Sequence, residues 1–374
     1  MTHKNMIYLV LLVLLFSCKS LTTKNEVVPK AKNVILLIGD GTGLSQISSA
    51  FYFKETKPNY ARFKSIGLTK TSSSKEDITD SAAGGTALAT GEKTYNGAIG
   101  VASDSTKLEN LVEIVSHQDV KTGVISTSSI QHATPASFYA HVINRGSYED
   151  IAADMVVSEI DFFAGGGLKF FNKRKDGVNL LEALKAKGFG IDTAALGNFA
   201  GIKQHSKMAY LLAENHMDPV AKGRGDFLPR ATELGIQFLN KDANNSNFFI
   251  MIEGSQIDWG GHDNDADYLI SELIDFDDAI GKALDFAEKD GNTLVIVTAD
   301  HETGGFTLSS TPKKTADGKS YSDYNEITGT FSTNGHSAAL IPVFAYGPGS
   351  EAFSGVYENT EIFHKILQAM HWNN

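Results

Sequence analysis

The sequence predicts a doubly wound α/β fold in which helices flank a largely parallel central sheet. Four apolar runs of strand length, 33–40, 121–127, 247–254 and 292–301, lack the polar alternation of half-exposed strands. Strands that are apolar on both faces are typical of parallel sheets covered by helices on each side. Helix-like segments separate the runs, as expected when strands and helices alternate along the chain.

Seven further segments predict helices between and after these strands. The polar, turn-rich segment 306–330 predicts a surface insertion, and the weaker patterning of 161–226 predicts a peripheral subregion. The chain contains no internal repeat and no clear linker, so the folded part is expected to be one domain. The predicted helices span 45–54, 82–91, 151–160, 180–187, 227–239, 267–289 and 360–370.

The N-terminus predicts export. A lysine precedes the unbroken apolar run 6–16, which is short for a membrane span but has the length of a secretory signal core. Cys18, the single cysteine, follows after Ser17 and resembles the lipidated cysteine of a bacterial lipoprotein; the alternative is an ordinary cleaved signal or a buried thiol. We therefore expect a periplasmic protein that is lipid-anchored to a membrane through Cys18. The expected segments are a signal peptide at 1–17, a tether at 18–32 and a catalytic domain at 33–374.

The acidic charge balance limits the partners of the chain. The formal net charge is −11, and no basic stripe is present. Binding to a nucleic-acid backbone needs such a stripe, so no nucleic-acid-binding surface is expected. An acidic chain can still bind phosphate locally where it carries cations.

Candidate ligands follow three of the predicted strands. Asp40 closes the first run, Glu253 the third, and Asp300 with His301 the fourth. Ligands of parallel α/β sheets bind beyond the carboxyl ends of the strands, so these side chains are expected to converge. Adjacent residues point to opposite faces within a strand, so Asp300 and His301 can share an ion only just past its end.

A second group of candidate ligands lies in the segment "IDWGGHD". Asp258 and His262 are four residues apart, which places both on one face of a helical turn. This pair suits zinc but is weak evidence alone, and His336 is the obvious third ligand. We interpret His141 as structural. The histidines interpreted as ordinary surface or core residues are His117, His205, His216, His364 and His371.

The segment "TDSAAGGT" at 79–86 has two interpretations. Thr79, Asp80 and Ser81 are all good N-cap residues, so the segment predicts the start of a helix. The alternative is that Ser81 is a nucleophile at a helix N-terminus, where backbone N–H groups hold an anion. These residues alone leave both interpretations open.

Six motifs together resemble the successive blocks of the alkaline phosphatases, in the order of that family. They are "IGDGTG", "TDSAAGGTALATG", "HATPASFYAHVINR", "IEGSQIDWGGH", "VTADHETGG" and "GHSAALIPVFAYGPG", spread over residues 38–349. A pattern of several blocks is far more specific than any single motif. The resemblance implies an alkaline phosphatase-like fold and a phosphate-monoester hydrolase that forms a phosphoserine intermediate and releases inorganic phosphate. It also allows a homodimer.

The resemblance implies a role for each site residue. Ser81 would attack phosphorus, and Arg145 would grip two phosphoryl oxygens with its planar fork. Two zinc ions and one magnesium ion would be the cofactors, magnesium taking the oxygen ligands. The implied ligands are Asp258, His262 and His336 for one zinc; Asp40, Asp300 and His301 for the second; and Asp40, Thr134 and Glu253 for magnesium.

Two residues depart from the pattern of the best-known bacterial member. His132 stands where an aspartate is found there, and Trp259 where a lysine is found. The family residues touch the magnesium waters and the phosphate, so both positions bear on magnesium affinity and phosphate release.

Other functions remain as alternatives. A phosphodiesterase of the same superfamily usually lacks the magnesium ligands, whereas Thr134 and Glu253 are present. A sulfatase would need a different context around its nucleophile than Ser81 followed by Ala-Ala-Gly. A non-catalytic zinc- or phosphate-binding lipoprotein would need no serine in line with both metal sites.

Overall fold

The computed structural model describes residues 30–242 and 247–371. The predicted signal peptide, Cys18 and most of the predicted tether lie outside the described residues. In the described part of the chain, no helix is long and apolar enough to cross a membrane.

The predicted α/β fold is confirmed, with a largely parallel ten-stranded sheet in the described residues. The sheet strands are β1 (Asn33–Gly39), β2 (Ser65–Lys70), β3 (Lys121–Ser129), β4 (Phe162–Gly166), β5 (Phe189–Asp192), β6 (Lys207–Leu211), β7 (Phe248–Gly254), β8 (Thr293–Thr298), β13 (Ile341–Tyr346) and β14 (Gly355–Glu358). The strand order is β14-β2-β13-β8-β1-β7-β3-β4-β6-β5, and β13 alone runs antiparallel to its neighbours there.

Four strands of the described residues lie outside the central sheet and form two pairs. The predicted surface insertion is an antiparallel hairpin of β10 (Thr307–Lys314) and β11 (Ser320–Thr330). The strands β9 (Glu302–Thr303) and β12 (His336–Ser337) also pair antiparallel. The second pair fixes His336 opposite Thr303, close to the end of β8.

Seven of the helices lie where the sequence predicts them, with ends shifted by up to three residues. The helices are α1 (Leu44–Phe53), α2 (Ser81–Thr90), α3 (Leu111–Ser116), α4 (Ala133–Ala136), α5 (Tyr148–Val157), α6 (Lys169–Asn172), α7 (Leu180–Ala186), α8 (Phe199–Ile202), α9 (Phe227–Leu239), α10 (Gln256–His262), α11 (Ala266–Asp290) and α12 (Glu361–Met370).

Helices cover both faces of the sheet, as the continuous apolar runs predict. In β1, Val34 and Leu36 belong to one hydrophobic cluster, whereas Ile35 and Leu37 belong to the other. Because successive side chains of a strand point to opposite faces, each cluster fills one side of the sheet. The segment 161–226 adds β4, β6 and β5 at one edge, so it extends the central sheet rather than forming a subregion of its own.

Candidate active site

The carboxyl ends of three adjacent strands bring candidate ligands to one edge of the sheet. Asp40 follows β1, Glu253 is the penultimate residue of β7, and Asp300 lies two residues after β8. All three side chains are fully buried. The chain turns after β8, so His301 Nε2 lies 3.2 Å from Asp300 Oδ2 and 3.6 Å from Asp40 Oδ1. Asp40, Asp300 and His301 therefore form one compact group that could hold a metal ion.

A second group combines helix α10 with strand β12. Asp258 Oδ1 lies 3.4 Å from His262 Nε2 and 3.8 Å from His336 Nε2. The two Nε2 atoms are 3.2 Å apart. The four-residue spacing on α10 thus puts Asp258 and His262 together, and the β9–β12 pair delivers His336. The ring of His301 stacks on that of His336 with centroids 3.6 Å apart, which joins the two groups.

Backbone carbonyls orient two of the imidazoles. Nδ1 of His262 donates to the carbonyl of Asn334 at 2.6 Å, and Nδ1 of His336 donates to the carbonyl of Thr79 at 2.8 Å. A carbonyl only accepts, so the proton resides on Nδ1 and the lone pair of Nε2 faces the cluster. This is the usual arrangement of metal-binding histidines.

A third group surrounds Glu253 and is set by serines. Its Oε2 accepts hydrogen bonds from Ser126 Oγ at 2.6 Å, Ser255 Oγ at 2.5 Å and Ser128 Oγ at 3.5 Å. Its Oε1 is buried and has no hydrogen-bond partner within the described residues. We call Ser126, Ser128 and Ser255 the serine cradle. It fixes the carboxylate so that one oxygen remains available as a ligand.

His132 joins this third group, which sequence reasoning had not placed among the ligands. Ligand atoms of Asp40, His132 and Glu253 all lie within 4.8 Å of one another. Thr134 follows two residues later on α4 and is fully buried. The third group therefore offers an imidazole in addition to the oxygen atoms of Asp40, Thr134 and Glu253.

The electrostatics of these groups fit divalent cations. Burial raises the pKa of Asp40 well above its usual value, and the charges of Asp300, Asp258 and Glu253 raise it further. Burial also raises the pKa of Glu253 to about 7, although hydrogen bonds from the serine cradle oppose the shift. In the described chain both oxygens of Asp40 lack hydrogen-bond partners. Buried unpartnered carboxylates are costly unless they act as metal ligands, so the donor set fits metal ions.

The buried imidazole of His301 is also suited to bind a metal. Burial lowers its pKa to about 3, and the charge of His336 contributes in the same direction. The ring is therefore neutral near pH 7, which is the form that coordinates zinc.

Ser81 is both a helix start and a neighbour of the ligand cluster. It is the first residue of α2, and Asp80 caps this helix by accepting a hydrogen bond from Ala83 N at 3.0 Å. Ser81 Oγ lies 3.3 Å from His301 Nε2. The two interpretations of this segment are therefore compatible, because the cap places the hydroxyl at the cluster.

The small residues of α2 permit close packing around Ser81. A Cβ on Gly84 would meet Asp300 Cβ at 3.0 Å, and one on Gly85 would meet Ser137 Oγ at 2.9 Å and Thr134 Cα at 3.3 Å. Larger side chains would push α2 away from the loop that carries Asp300 and from α4. The glycines thus set the distance between the serine and the candidate ligands.

Asp80 also positions Arg145. Arg145 Nη1 donates to Asp80 Oδ2 at 2.9 Å, and Arg145 Nη2 donates to His132 Nε2 at 3.4 Å. The backbone N–H of Arg145 donates to the carbonyl of Gly97 at 2.7 Å, while Gly97 N donates back to Asp80 Oδ2 at 3.0 Å. The guanidinium is therefore held beside Ser81 by the residue that caps the serine's helix.

The interpretation of His216 as an ordinary surface or core histidine is corrected by the structure, which places this residue beside the candidate site. Its ring lies 4.8 Å from that of Trp259 and 5.8 Å from that of His132, between ring centroids. Its Nδ1 accepts a hydrogen bond from Ser129 N at 3.0 Å. The aromatic group of His132, His216 and Trp259 therefore lies next to Arg145. No motif marks His216, because it comes from a loop far from the other blocks in sequence.

The sequence analysis also missed residues that hold the candidate ligands in place by hydrogen bonds. Thr303 Oγ1 donates to Asp258 Oδ1 at 2.5 Å. Gln46 Nε2 donates to Glu302 Oε1 at 2.6 Å, and Ser337 Oγ donates to Glu302 Oε2. These bonds fix the β9–β12 pair that carries His336. Only the Ser/Thr run 126–129 at the end of an apolar strand gave a sequence signal for such residues.

Comparisons with known proteins agree with this geometry. A family model described as alkaline phosphatase matches residues 31–321 and 311–372. Alkaline phosphatase 3 of Bacillus subtilis (strain 168) is 34% identical, the match covering 91% of this chain and 89% of the relative. The structure of alkaline phosphatase from the Antarctic bacterium TAB5 is 63% identical with a TM-score of 0.90, covering 93% of this chain and 100% of that one. A TAB5 variant with one histidine replaced by aspartate, with Mg bound in its M3 site, is 64% identical with a TM-score of 0.91 over the same shares.

Proposed function

The chain belongs to the alkaline phosphatase family and is a phosphatase, and we propose that it hydrolyses small-molecule phosphate monoesters through Ser81. The observation that carries this proposal is the 3.3 Å contact between Ser81 Oγ and His301 Nε2, at the start of a helix. A scavenger that only captures phosphate has no use for a hydroxyl at this position.

The proposed reaction has two displacements at phosphorus. In the first, the Ser81 hydroxyl gives up its proton as Oγ bonds to phosphorus, the ester P–O bond breaks, and the leaving alkoxide takes up one proton. In the second, water attacks the phosphoserine, the bond between Oγ and phosphorus breaks, and Ser81 regains its proton as inorganic phosphate leaves. Divalent ions bound at the site supply Lewis-acid stabilisation of the charge on the attacking and leaving oxygens.

Arg145 has the role of holding the phosphoryl group. Asp80 accepts a hydrogen bond from Nη1 and His132 accepts one from Nη2, which fixes the plane of the guanidinium. The N–H groups that these two residues do not use are available for phosphoryl oxygens. A planar fork matches two oxygens of phosphate and orients phosphorus toward Ser81. The first N–H groups of α2 add an anion-binding helix terminus.

We propose that zinc binds the two groups for which the family resemblance implies histidine ligands. The ligands are Asp258, His262 and His336 for one ion, and Asp40, Asp300 and His301 for the second. Imidazole and carboxylate donors suit zinc, and three protein ligands leave an open position.

The third group is assigned to magnesium through Asp40, Thr134 and Glu253. His132 adds an imidazole, and imidazole suits zinc better than magnesium. We therefore propose that this site accepts zinc as well as magnesium. The TAB5 variant supports the idea by analogy, since replacement of a histidine by aspartate accompanies Mg in its M3 site.

The location of the enzyme is a separate proposal. The eleven-residue apolar run followed by Cys18 supports a periplasmic protein held at a membrane by a lipid on that cysteine. Cys18→Ser should abolish lipid labelling and release the protein from the membrane fraction. Unchanged processing and fractionation would contradict the anchor. Light scattering of the purified domain would test the homodimer that the family resemblance allows.

The function is tested by turnover of p-nitrophenyl phosphate with metal content measured on the same samples. We expect wild type to turn over this monoester faster than bis-p-nitrophenyl phosphate, and Ser81→Ala to lose activity while retaining its metals. A preference for the diester would favour a phosphodiesterase. Full activity of Ser81→Ala would remove the serine from the mechanism.

A further inference from the structure

The chain contains two Asn-Gly pairs, Asn96-Gly97 and Asn334-Gly335. Asparagine is among the thermolabile residues of proteins. Its side-chain amide reacts with the backbone nitrogen of the next residue, and glycine permits this approach because it has no Cβ. The two pairs therefore have similar intrinsic reactivity, and their surroundings in the folded protein decide which of them reacts.

The first pair is held against reaction by hydrogen bonds. Asn96 Oδ1 accepts from Asp80 N at 3.1 Å, and Asn96 Nδ2 donates to the carbonyl of Ile78 at 3.1 Å. The nitrogen that would attack the amide, Gly97 N, donates to Asp80 Oδ2 at 3.0 Å. Both ends of the Asn96 carboxamide must therefore lose their partners before Asn96 can react.

The second pair lies open in the loop between β11 and β12. Asn334 is exposed, and its carboxamide makes no hydrogen bond to any of residues 30–242 or 247–371. A Cβ on Gly335 would meet nothing closer than Thr333 Oγ1 at 3.8 Å, so the space around the attacking nitrogen is free. Gly335 N donates to the same Thr333 hydroxyl at 3.1 Å. Nothing in the described part of the chain therefore holds the Asn334 amide away from Gly335 N.

The backbone of this second pair belongs to the candidate metal site. The carbonyl of Asn334 accepts the 2.6 Å hydrogen bond from His262 Nδ1, and the carbonyl of Gly335 accepts one from Gly304 N at 2.9 Å. His336 follows directly in β12. The length of the main chain between Asn334 and His336 therefore sets where the acceptor for His262 lies relative to the His336 imidazole.

We propose that Asn334 is a site of spontaneous deamidation, and that its conversion to isoaspartate weakens the metal group of Asp258, His262 and His336. Gly335 N bonds to Asn334 Cγ, and the side-chain NH2 group leaves as ammonia with the proton of that nitrogen. Water then opens the resulting cyclic imide. Cleavage between the nitrogen and Cγ gives aspartate, and cleavage between the nitrogen and the former backbone carbonyl carbon gives isoaspartate.

The isoaspartate product changes the geometry as well as the charge. Its main chain runs through Cβ and Cγ, which adds a methylene group between residues 334 and 335. The former backbone carbonyl becomes a carboxylate branch, so its oxygen no longer has a fixed position opposite His262 Nδ1. Loss of an outer hydrogen bond of this kind typically lowers metal affinity about 10- to 100-fold. The deamidation does not depend on the proposed function, whereas its effect on metal binding rests on the proposed zinc ligands.

Incubation of the metal-loaded wild-type protein tests the chemical step. Peptide mass spectrometry follows deamidation at Asn334 and Asn96 in the same sample, once in buffer and once in urea. We expect Asn96 to react about 10- to 100-fold more slowly than Asn334 in the folded protein, because two hydrogen bonds must break. In urea the two rates should be similar. Gly335→Ala is the matched variant, since its Cβ fits the structure but obstructs the attack, so deamidation should slow at Asn334 only.

Zinc retention tests the consequence for the metal group. In aged wild type, isoaspartate is measured by enzymatic methylation, and the isoaspartate-containing fraction should release zinc to a chelator about 10- to 100-fold more readily than fresh protein. Freshly prepared Asn334→Asp carries the same added charge on a main chain of unchanged length, so it should retain more zinc than the isoaspartate form. Aged Gly335→Ala should retain zinc as its own fresh sample does.

The other outcomes contradict the proposal. Equal rates at Asn334 and Asn96 in the folded protein would mean that the open loop does not favour the reaction. Unchanged zinc retention in the isoaspartate form would mean that the Asn334 carbonyl does not support His262. Equal zinc loss from Asn334→Asp would assign the effect to charge instead of main-chain length. Absence of zinc from fresh wild type would overturn the proposed ligands and the effect on them, while the deamidation rates would still decide the chemical step.

Discussion

Ser81 Oγ lies 3.3 Å from Nε2 of His301, although 220 residues separate the two in sequence. One residue begins helix α2, and the other follows strand β8 at the edge of the sheet. This contact places a candidate nucleophile against a candidate metal ligand.

The first prediction concerns the stereochemistry at phosphorus. If Ser81 forms a phosphoserine, two in-line displacements follow one another, and each inverts the configuration. A chiral phosphate ester transferred to an acceptor alcohol should therefore show net retention. Analysis of the product by ³¹P NMR measures this, and net inversion would rule out the intermediate.

The second prediction concerns Arg145→Lys. Lysine keeps the positive charge but cannot make two parallel hydrogen bonds to phosphate. We expect kcat/KM for p-nitrophenyl phosphate to fall about 10²-fold, an energy of roughly 3 kcal/mol for a lost charge-assisted contact. Arg230→Lys, on the exposed surface of α9, is the control. Activity near that of wild type would show that charge alone suffices.

The third prediction concerns the serine cradle. Ser126→Ala removes a 2.6 Å hydrogen bond to Glu253 Oε2, so the carboxylate is held less firmly for its metal. Loss of such a support typically costs about 10- to 100-fold in metal affinity. Competition with a chelator measures the affinity. Ser129→Ala is a matched control, because the buried Ser129 hydroxyl has no partner among the described residues. Equal affinities of the two variants would contradict the role of the cradle.

The fourth prediction concerns the metal preference of the third group. His132→Asp replaces an imidazole by an oxygen donor, and magnesium prefers oxygen ligands. We expect elemental analysis to find more magnesium and less zinc per chain after exposure to both ions. An unchanged ratio would mean that His132 does not select the metal.

The fifth prediction concerns stability and pH. Burial raises the pKa of Asp275 to about 6, against the opposing effect of Arg224, whose Nη2 donates to Asp275 Oδ2 at 2.7 Å. Between about pH 4 and pH 6 the folded protein therefore holds a proton that the unfolded chain has lost, so this group makes stability fall as pH rises. Asn cannot ionise.

As the pH rises across that window, the free energy of unfolding of Asp275→Asn should therefore increase relative to that of wild type, by about 3 kcal/mol. Urea unfolding at several pH values, with equal metal content, measures the difference. Above pH 7 the difference should be constant. A difference that does not vary with pH would show that Asp275 stays ionised, paired with Arg224.

The sequence predicted much of the fold because buried parallel strands are apolar on both faces. The runs that became β1, β3, β7 and β8 carry this signal. The sheet strands β2, β4, β5, β6, β13 and β14 were not predicted, since these segments are only four to six residues long and show weaker patterning. Helix ends shifted because capping depends on local contacts such as Asp80 with Ala83.

By itself, the sequence determined which strands are buried and which ligand types follow them, because hydrophobic pattern and donor chemistry are local properties of the chain. Only the tertiary structure decided how these pieces meet. Gly84 matters because α2 must approach Asp300 closely, and the serine cradle matters because β3 and β7 are neighbours. His132 and His216 come together in the same way, from segments that no local pattern connects. Such contacts depend on the path of the whole chain, since packing joins residues that are far apart in sequence.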